Sequence, residues 1–312
     1  MQKDSFTGRS TFIQGRYLPD EGVRAGLQDD HQRRLAALDQ LRALAAECGV
    51  ATDPDRDLVT LPEDAISLLE LADPLWARLG EAIREWRELV PLCRLEDFGF
   101  PEGPALNFEE GSPRLRYLHS GVEASAFIST EDASIYKFYR PVEGTEKLIG
   151  STFVFRPDEE RLLEAEAQPG SYRDVFEKLL LIDALGLPTE VIGITPEGIV
   201  VAKQTIGEPL PQGDDMSRRL PAGLIEIPSR FLRANRDHPR LYFLRDRAWL
   251  VADLHARNFV RCADGALRVI DLVAAPWPSD ASQRYPLIGD WIARVRDDPG
   301  AGVLRSSGDH EL

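Results

Sequence analysis

Asp253 and Asn258 stand five residues apart in the segment Val251-Ala252-Asp253-Leu254-His255-Ala256-Arg257-Asn258-Phe259-Val260. Asp271 closes the run Leu267-Arg268-Val269-Ile270-Asp271 that follows. The apolar residues on either side read as short strands, with Ala263-Asp264-Gly265 turning the chain between the last two. That pattern puts the first Asp and the Asn on a loop and returns the second Asp to the mouth of that loop. Phosphoryl transfer uses such groups. One carboxylate orients an attacking hydroxyl, while a carboxamide and a second carboxylate hold a magnesium ion that bridges phosphates.

A second set lies upstream. Lys137 sits among Ile135, Tyr136 and Phe138 in the strand-like run 134–139, where an ammonium needs a counter-charge or a bound anion. Between the first two strands, His119-Ser120-Gly121-Val122-Glu123-Ala124-Ser125-Ala126-Phe127 offers small residues, notably Gly121 and Ser125, whose backbone N–H groups can approach phosphates. Singly, each piece is commonplace. An Asp-to-Asn spacing of five usually marks a turn, a strand lysine usually keeps its amine in water, and one glycine is a weak phosphate signal. The order of the pieces carries the reading.

In that order the chain resembles the protein-kinase-like superfamily, whose catalytic loop is D-L-x-x-x-N followed by a metal-binding Asp. Asp-Leu-His-x-x-Asn is similar to the aminoglycoside and choline kinase branch. The wider frame, with Val201 to Ile206 and the Ile270-Asp271 ending, is similar to the polyvalent protein kinase domains of phage and mobile-element proteins. The resemblance covers about residues 110 to 290. It implies ATP and Mg²⁺ as cofactors, with Asp253 and Lys137 catalytic and Asn258 and Asp271 on the metal. Lys137 would hold phosphates and pair with Glu177 of the next helix, Glu164 and Glu166 falling too early. Gly121 and Ser125 would face the phosphates, and backbone groups at Gln204 and Ile206 would read adenine. The acceptor it implies is a hydroxyl, of a protein or of a small molecule. A nucleotide-binding module without catalysis and a transferase of AMP remain open alternatives.

The chain also departs from the pattern. Val251 stands where many relatives have histidine, Leu272-Val273 follows the metal Asp in place of Phe-Gly, and no Ala-Pro-Glu triplet occurs. Only about forty residues follow Asp271, which leaves little room for a peptide-docking platform. His255 takes the place of a phosphate-contacting lysine, either in that role or as a cap of its loop.

The resemblance implies an α+β, bilobal, kinase-like chain with an antiparallel β N-lobe and a short, mainly helical C-lobe, here preceded by a helical module. The expected divisions are a loosely ordered arm over 1–28, the helical module over 29–105, the N-lobe over 106–206, the C-lobe over 207–300 and a tail over 301–312. In the module, Leu35, Leu38, Leu41 and Leu44 recur at helical spacing, and Asp73-Pro74 opens a helix with Trp76, Leu79, Ile83, Trp86 and Val90 on one stripe. Strands are expected at 115–118, 127–129 and 134–139, a helix or ordered insert at 156–168, a helix from Ser171 to Gly186, and strands at 191–194 and 198–206. Further on, a helix is expected over 220–235, short strands at 241–244, 248–251, 259–261 and 267–270, and a helix over 286–296.

Composition narrows the partners. Fifty-two acidic against 37 basic residues give a net charge of −15, and no basic run makes a surface for displacing counterions from nucleic acid. Arg230, Arg233 and Arg236 suit a solvated helix face. No apolar run is long enough for a bilayer, so no membrane is expected. Cys48, Cys93 and Cys262 are far apart, without metal-ligand spacing, which points to free thiols in a reducing cytoplasm.

Overall fold

The computed structural model describes residues 21–50, 56–71, 73–102, 108–132, 134–143, 148–157, 163–210, 224–227, 232–234 and 239–302. It is a mixed α+β chain. The expected arm up to position 20 and the end of the expected tail, 303–312, lie outside these residues.

The first layer is helical: α1 (Glu21–Glu47), α2 (Arg56–Val59), α3 (Glu63–Glu70) and α4 (Pro74–Leu89). Helix α1 begins at Glu21, fourteen residues before the leucine stripe opens at Leu35, so residues 21–28 belong to a helix instead of forming a loose arm. Propagating a helix costs less than nucleating one. Its C-terminus is closed by Gly49 at φ +74°, with Gly49 N–H on the Ala46 carbonyl (3.1 Å) and Val50 N–H on the Ala45 carbonyl (2.8 Å). Asp73 caps α4 by accepting from the N–H groups of Leu75 (2.8 Å) and Trp76 (3.1 Å).

The β elements follow: β1 (Leu115–Ser120), β2 (Ala124–Ser129), β3 (Ser134–Tyr139), β4 (Ser151–Pro157) and β5 (Leu163–Pro169). Helix α5 (Tyr172–Ala184) separates these from β6 (Thr189–Ile194) and β7 (Val200–Thr205). Beyond lie β8 (Glu208–Pro209), β9 (Ile225–Ile227), β10 (Leu232–Ala234), β11 (Arg240–Leu244), β12 (Arg247–Ala252), β13 (Phe259–Arg261), β14 (Leu267–Val269) and β15 (Val273–Pro276). Helices α6 (Ala281–Arg284) and α7 (Pro286–Asp297), followed by a 3-10 turn at Pro299–Gly302, end the described chain.

Five strands form an antiparallel sheet in the order β1-β2-β3-β7-β6. Strand alternation divides its side chains between two cores. Phe127, Phe138 and Val201 join Phe98, Phe100 and Phe108 in an aromatic cluster on one face. Tyr139, Val200 and Ala202 face the other way, into a core shared with α1, α4 and α5. Trp86 of α4 meets Phe176 of α5 edge to face at 5.3 Å. Among the described residues, the helices before residue 105 thus share one core with the sheet.

Two expectations are corrected here. The charged stretch 156–168 is strand at both ends, in β4 and β5. Leu163, Ala165 and Ala167 alternate with Glu164, Glu166 and Gln168, a period of two that outweighs the helix propensity of glutamate. Glu164 and Glu166 therefore lie on a strand. The segment 220–235 is strand at Ile225–Ile227 and Leu232–Ala234, not helix. Pro221, Gly223 and Pro228 interrupt any helix there. The second half is consequently not mainly helical. A four-stranded sheet, β15-β12-β11-β9, and a three-stranded one, β14-β13-β8, make up most of it, with α6 and α7 packed on Ile227, Leu241 and Phe243. Among the described residues, no helix is long and apolar enough to cross a membrane.

Candidate active site

Strand pairing assembles the first half of the site. In the β12/β15 pair, Ala252 lies opposite Val273, so Asp253 and the Asp271-Leu272 step leave the sheet at one end. Asp253 turns the chain there at φ +65°, a left-handed conformation that costs a non-glycine residue about 1 kcal/mol and that aspartate tolerates better than most. The turn is closed by His255 N–H on the Asp253 carbonyl (2.9 Å) and by Asn258 N–H on the His255 carbonyl (2.9 Å). Asn258 Nδ2 then donates to the Asp253 carbonyl (2.9 Å) and to its Oδ2 (2.8 Å). His255 Nε2 lies 2.9 Å from Asp253 Oδ1. Ile270 N–H donates to the Asn258 carbonyl at 2.8 Å, which fixes the residue before Asp271 to the loop.

Strand β3 supplies the second half. Lys137 shares with Tyr139 the face of the sheet turned toward α5, and its ammonium is buried. It donates to the Ile270 carbonyl. Burial pulls its pKa down, while the Asp271 carboxylate, then Glu123, oppose that. Lys178 of α5 completes the cluster. It is ion-paired to Glu123 and lies 3.8 Å from Asp271 Oδ1. Burial acts to lower the Lys178 pKa, but Glu123 and Asp271 outweigh it and leave it raised. The same two lysines hold the Asp271 carboxyl below its usual range against the effect of burial, and its Oδ1 accepts the Leu272 N–H at 3.0 Å. Tyr139, 1% exposed, has no hydrogen-bond partner for its hydroxyl among the described residues. Burial drives its pKa far up, with Asp271 and Glu123 adding to the rise. An unpaired buried hydroxyl costs about 1–3 kcal/mol, a cost that a group accepting a hydrogen bond from it would remove.

The structure thus gathers Lys137, Asp253, Asn258 and Asp271. It places other expected residues elsewhere. Glu177 does not pair with Lys137. Its carboxylate is taken by Arg173 one turn earlier and by Arg247 of β12 at 3.3 Å, because the helix turns that position toward α1 and the second sheet. Gln204 lies inside the sheet, opposite Ile135 of β3 and Thr189 of β6, and its amide donates to Thr189 Oγ1 at 3.3 Å. Its backbone is sheet backbone and does not suit an adenine reader. Ile206 lies beyond the end of β7 and is half-buried. Ser125 pairs with Phe138, so its side chain points to the sheet face opposite Lys137, where its hydroxyl meets Ser120 Oγ at 2.7 Å. Gly121 is exposed at the β1–β2 turn, its N–H on the Ala124 carbonyl at 2.8 Å.

Lys178 and Glu123 are functional candidates that the sequence reading passed over. For Lys178 a signal existed. It stands three residues after Val175 and four before Ile182, on the apolar stripe of α5, where a lysine must be buried and paired. Glu123, a charged residue in a turn, gave none.

Among the described residues no three His, Cys, Asp or Glu side chains cluster as a metal group. The donors present are the part-exposed Asp271 carboxylate and the Asn258 carboxamide, whose backbone is tied to the residue before Asp271 by the Ile270 N–H bond. Such a set suits Mg²⁺, which keeps waters and takes further oxygens from phosphates. In comparisons with known proteins, the chain matches no family model, no curated protein and no solved structure.

Proposed function

We propose that this chain has a bilobal kinase-like architecture and is an ATP-dependent phosphotransferase that moves the γ-phosphoryl group to a hydroxyl. The observation that carries the reading is the convergence of Lys137, Asp253, Asn258 and Asp271, four polar residues from distant strands and loops, at one end of the β12/β15 pair. Three antiparallel strands, the third carrying Lys137, then a helix and two more strands precede Asp253 in the order the resemblance implies, apart from the inserted β4–β5 hairpin.

In this reading Lys137 binds phosphate oxygens as a buried cation whose desolvation has already been met by the fold. Asp253 orients the acceptor hydroxyl and takes its proton as the new P–O bond forms. The bond between the β-γ bridging oxygen and the γ-phosphorus breaks, and ADP leaves. Asp271 and Asn258 would hold Mg²⁺, which neutralises phosphate charge when bound. Ile206, past the end of β7, remains the candidate for adenine contact. A protein hydroxyl is the acceptor that the resemblance to polyvalent kinases implies. The Asp253-Leu254-His255 step, similar to aminoglycoside and choline kinases, favours the alternative of a small hydroxylated molecule.

The test is ATP turnover by the wild type and Asp253→Ala, with candidate acceptors and with the protein alone. The wild type is expected to release ADP and the variant to lose at least about a hundredfold in rate. Magnesium-dependent ATP binding without ADP or modified product would instead favour the non-catalytic nucleotide-binding module. Transfer of AMP, read by mass spectrometry, would replace phosphoryl with nucleotidyl transfer.

A further inference from the structure

Lys178 is 1% exposed, and the carboxylate that meets it comes from Glu123, in the turn that joins β1 to β2. That turn projects outward. Gly121 and Val122 beside Glu123 are exposed, Val122 by 85%, while the Glu123 side chain folds back and is only 13% exposed. Two ammonium groups, Lys137 and Lys178, thus stand against the Asp271 and Glu123 carboxylates, with the Asp253 carboxylate also acting on Lys178, so the two cations are matched without any ligand. A polyphosphate entering beside Lys137 would meet the Glu123 carboxylate as a like charge in a poorly solvated site, where repulsion is strong.

We propose that Lys178 is a second phosphate-binding cation of this site, and that Glu123 is an internal stand-in for phosphate that a polyphosphate ligand must displace. The inference deepens the phosphotransferase reading and rests on it for the ligand's identity as a nucleoside triphosphate, although the cation pair alone fits any polyphosphate. Three features make the exchange feasible. The backbone of the turn is anchored separately, by Gly121 N–H on the Ala124 carbonyl and Arg140 N–H on the Glu123 carbonyl at 3.0 Å, so rotation of one side chain suffices. Solvent is adjacent, past Val122. The buried Tyr139 hydroxyl, unpaired among the described residues and on the same sheet face as Lys137, supplies a donor for an arriving phosphate oxygen.

Calorimetric titration with inorganic triphosphate and with ATP, each with Mg²⁺, tests this on the wild type, Glu123→Gln and the double variant Glu123→Gln/Lys178→Gln. The double variant removes both charges together, so neither is left buried alone. Glu123→Gln is expected to bind both ligands about tenfold tighter than the wild type, and the double variant to lose that gain and more. Glu123→Gln binding equally or more weakly overturns the proposal, as does a double variant that binds as tightly as Glu123→Gln. Tighter triphosphate binding with no ATP turnover would keep this inference and sink the phosphotransferase reading. Turnover of ATP with unchanged Glu123→Gln binding would do the reverse. No binding of either ligand by any of the three proteins would remove both.

Discussion

The Lys137 ammonium reaches the carbonyl of Ile270, 133 positions away in the chain and one residue before Asp271. This contact joins the five-stranded sheet to the loop that carries the acidic residues. A strand lysine with its amine in water would have made no such bond.

Lys137→Met removes that donor and one of the two cations beside Asp271. The Ile270 carbonyl loses a charged partner, so unfolding stability should fall by about 1–3 kcal/mol, measured by urea denaturation. ATP turnover should drop at least about a hundredfold, a larger effect than the stability change explains. A variant that loses stability but turns over ATP normally would make Lys137 a structural lysine.

Asp253→Asn keeps a residue type that tolerates the left-handed backbone at this position. It also keeps one side-chain acceptor, although Asn258 and His255 would no longer share a carboxylate. Stability should therefore change by less than about 1 kcal/mol. Turnover should fall by about 10²- to 10⁴-fold, because a carboxamide cannot take the acceptor's proton. Near-normal turnover in a well-folded Asp253→Asn protein would exclude Asp253 as the base.

Glu177 offers a contrast with those two. Its carboxylate is buried between Arg173, which also binds Asp39 of α1 at 2.8 Å, and Arg247 of β12. Burial raises its pKa although both arginines act against the rise. Glu177→Gln should cost about 1–3 kcal/mol through the loss of charged hydrogen bonds to half-exposed arginines. The rate at saturating ATP should change less than threefold, about 0.7 kcal/mol, against the much larger loss expected for Lys137→Met. A collapse of turnover in folded Glu177→Gln would restore the lysine-pairing role that the sequence suggested.

What the sequence disclosed, and what it hid, follows from the range of the interactions. The strands and loop that carry Lys137, Asp253, Asn258 and Asp271 were legible because each residue sits beside a short, continuous apolar run bounded by turn residues, as a buried strand is. Ser171 and Asp73 announced their helices by local capping chemistry. Glu177 was misplaced because helical spacing says that position 177 is on α5 but not which partner each face meets. The pairing of Lys178 with Glu123 joins residues 55 apart and depends on how α5 packs over the sheet, which no local pattern encodes. The strands at 225–227 and 232–234 are only three residues long and owe their form to partner strands β11 and β5.

His31 provides a test of the junction between the helical layer and the sheet. It is fully buried on α1, and its Nε2 lies 2.8 Å from the Thr189 carbonyl of β6. Burial, helped by Arg34 and opposed by the Thr189 contact, lowers its pKa from 6.5 to about 4. In the unfolded chain the ring takes a proton as the pH falls below about 6.5, whereas the folded chain stays neutral until near 4. The unfolded state then binds more protons, so this contribution is fully present above pH 6.5 and is lost as the pH falls toward 4. Between pH 7 and pH 5 it amounts to about 2 kcal/mol. Urea midpoints at the two pH values should show that loss for the wild type, beyond whatever carboxylates contribute. His31→Gln, which can still donate to the Thr189 carbonyl, should be less stable at pH 7 but lose about 2 kcal/mol less on acidification. Parallel losses in the two proteins would mean that His31 titrates normally, and that α1 does not seal it against the sheet.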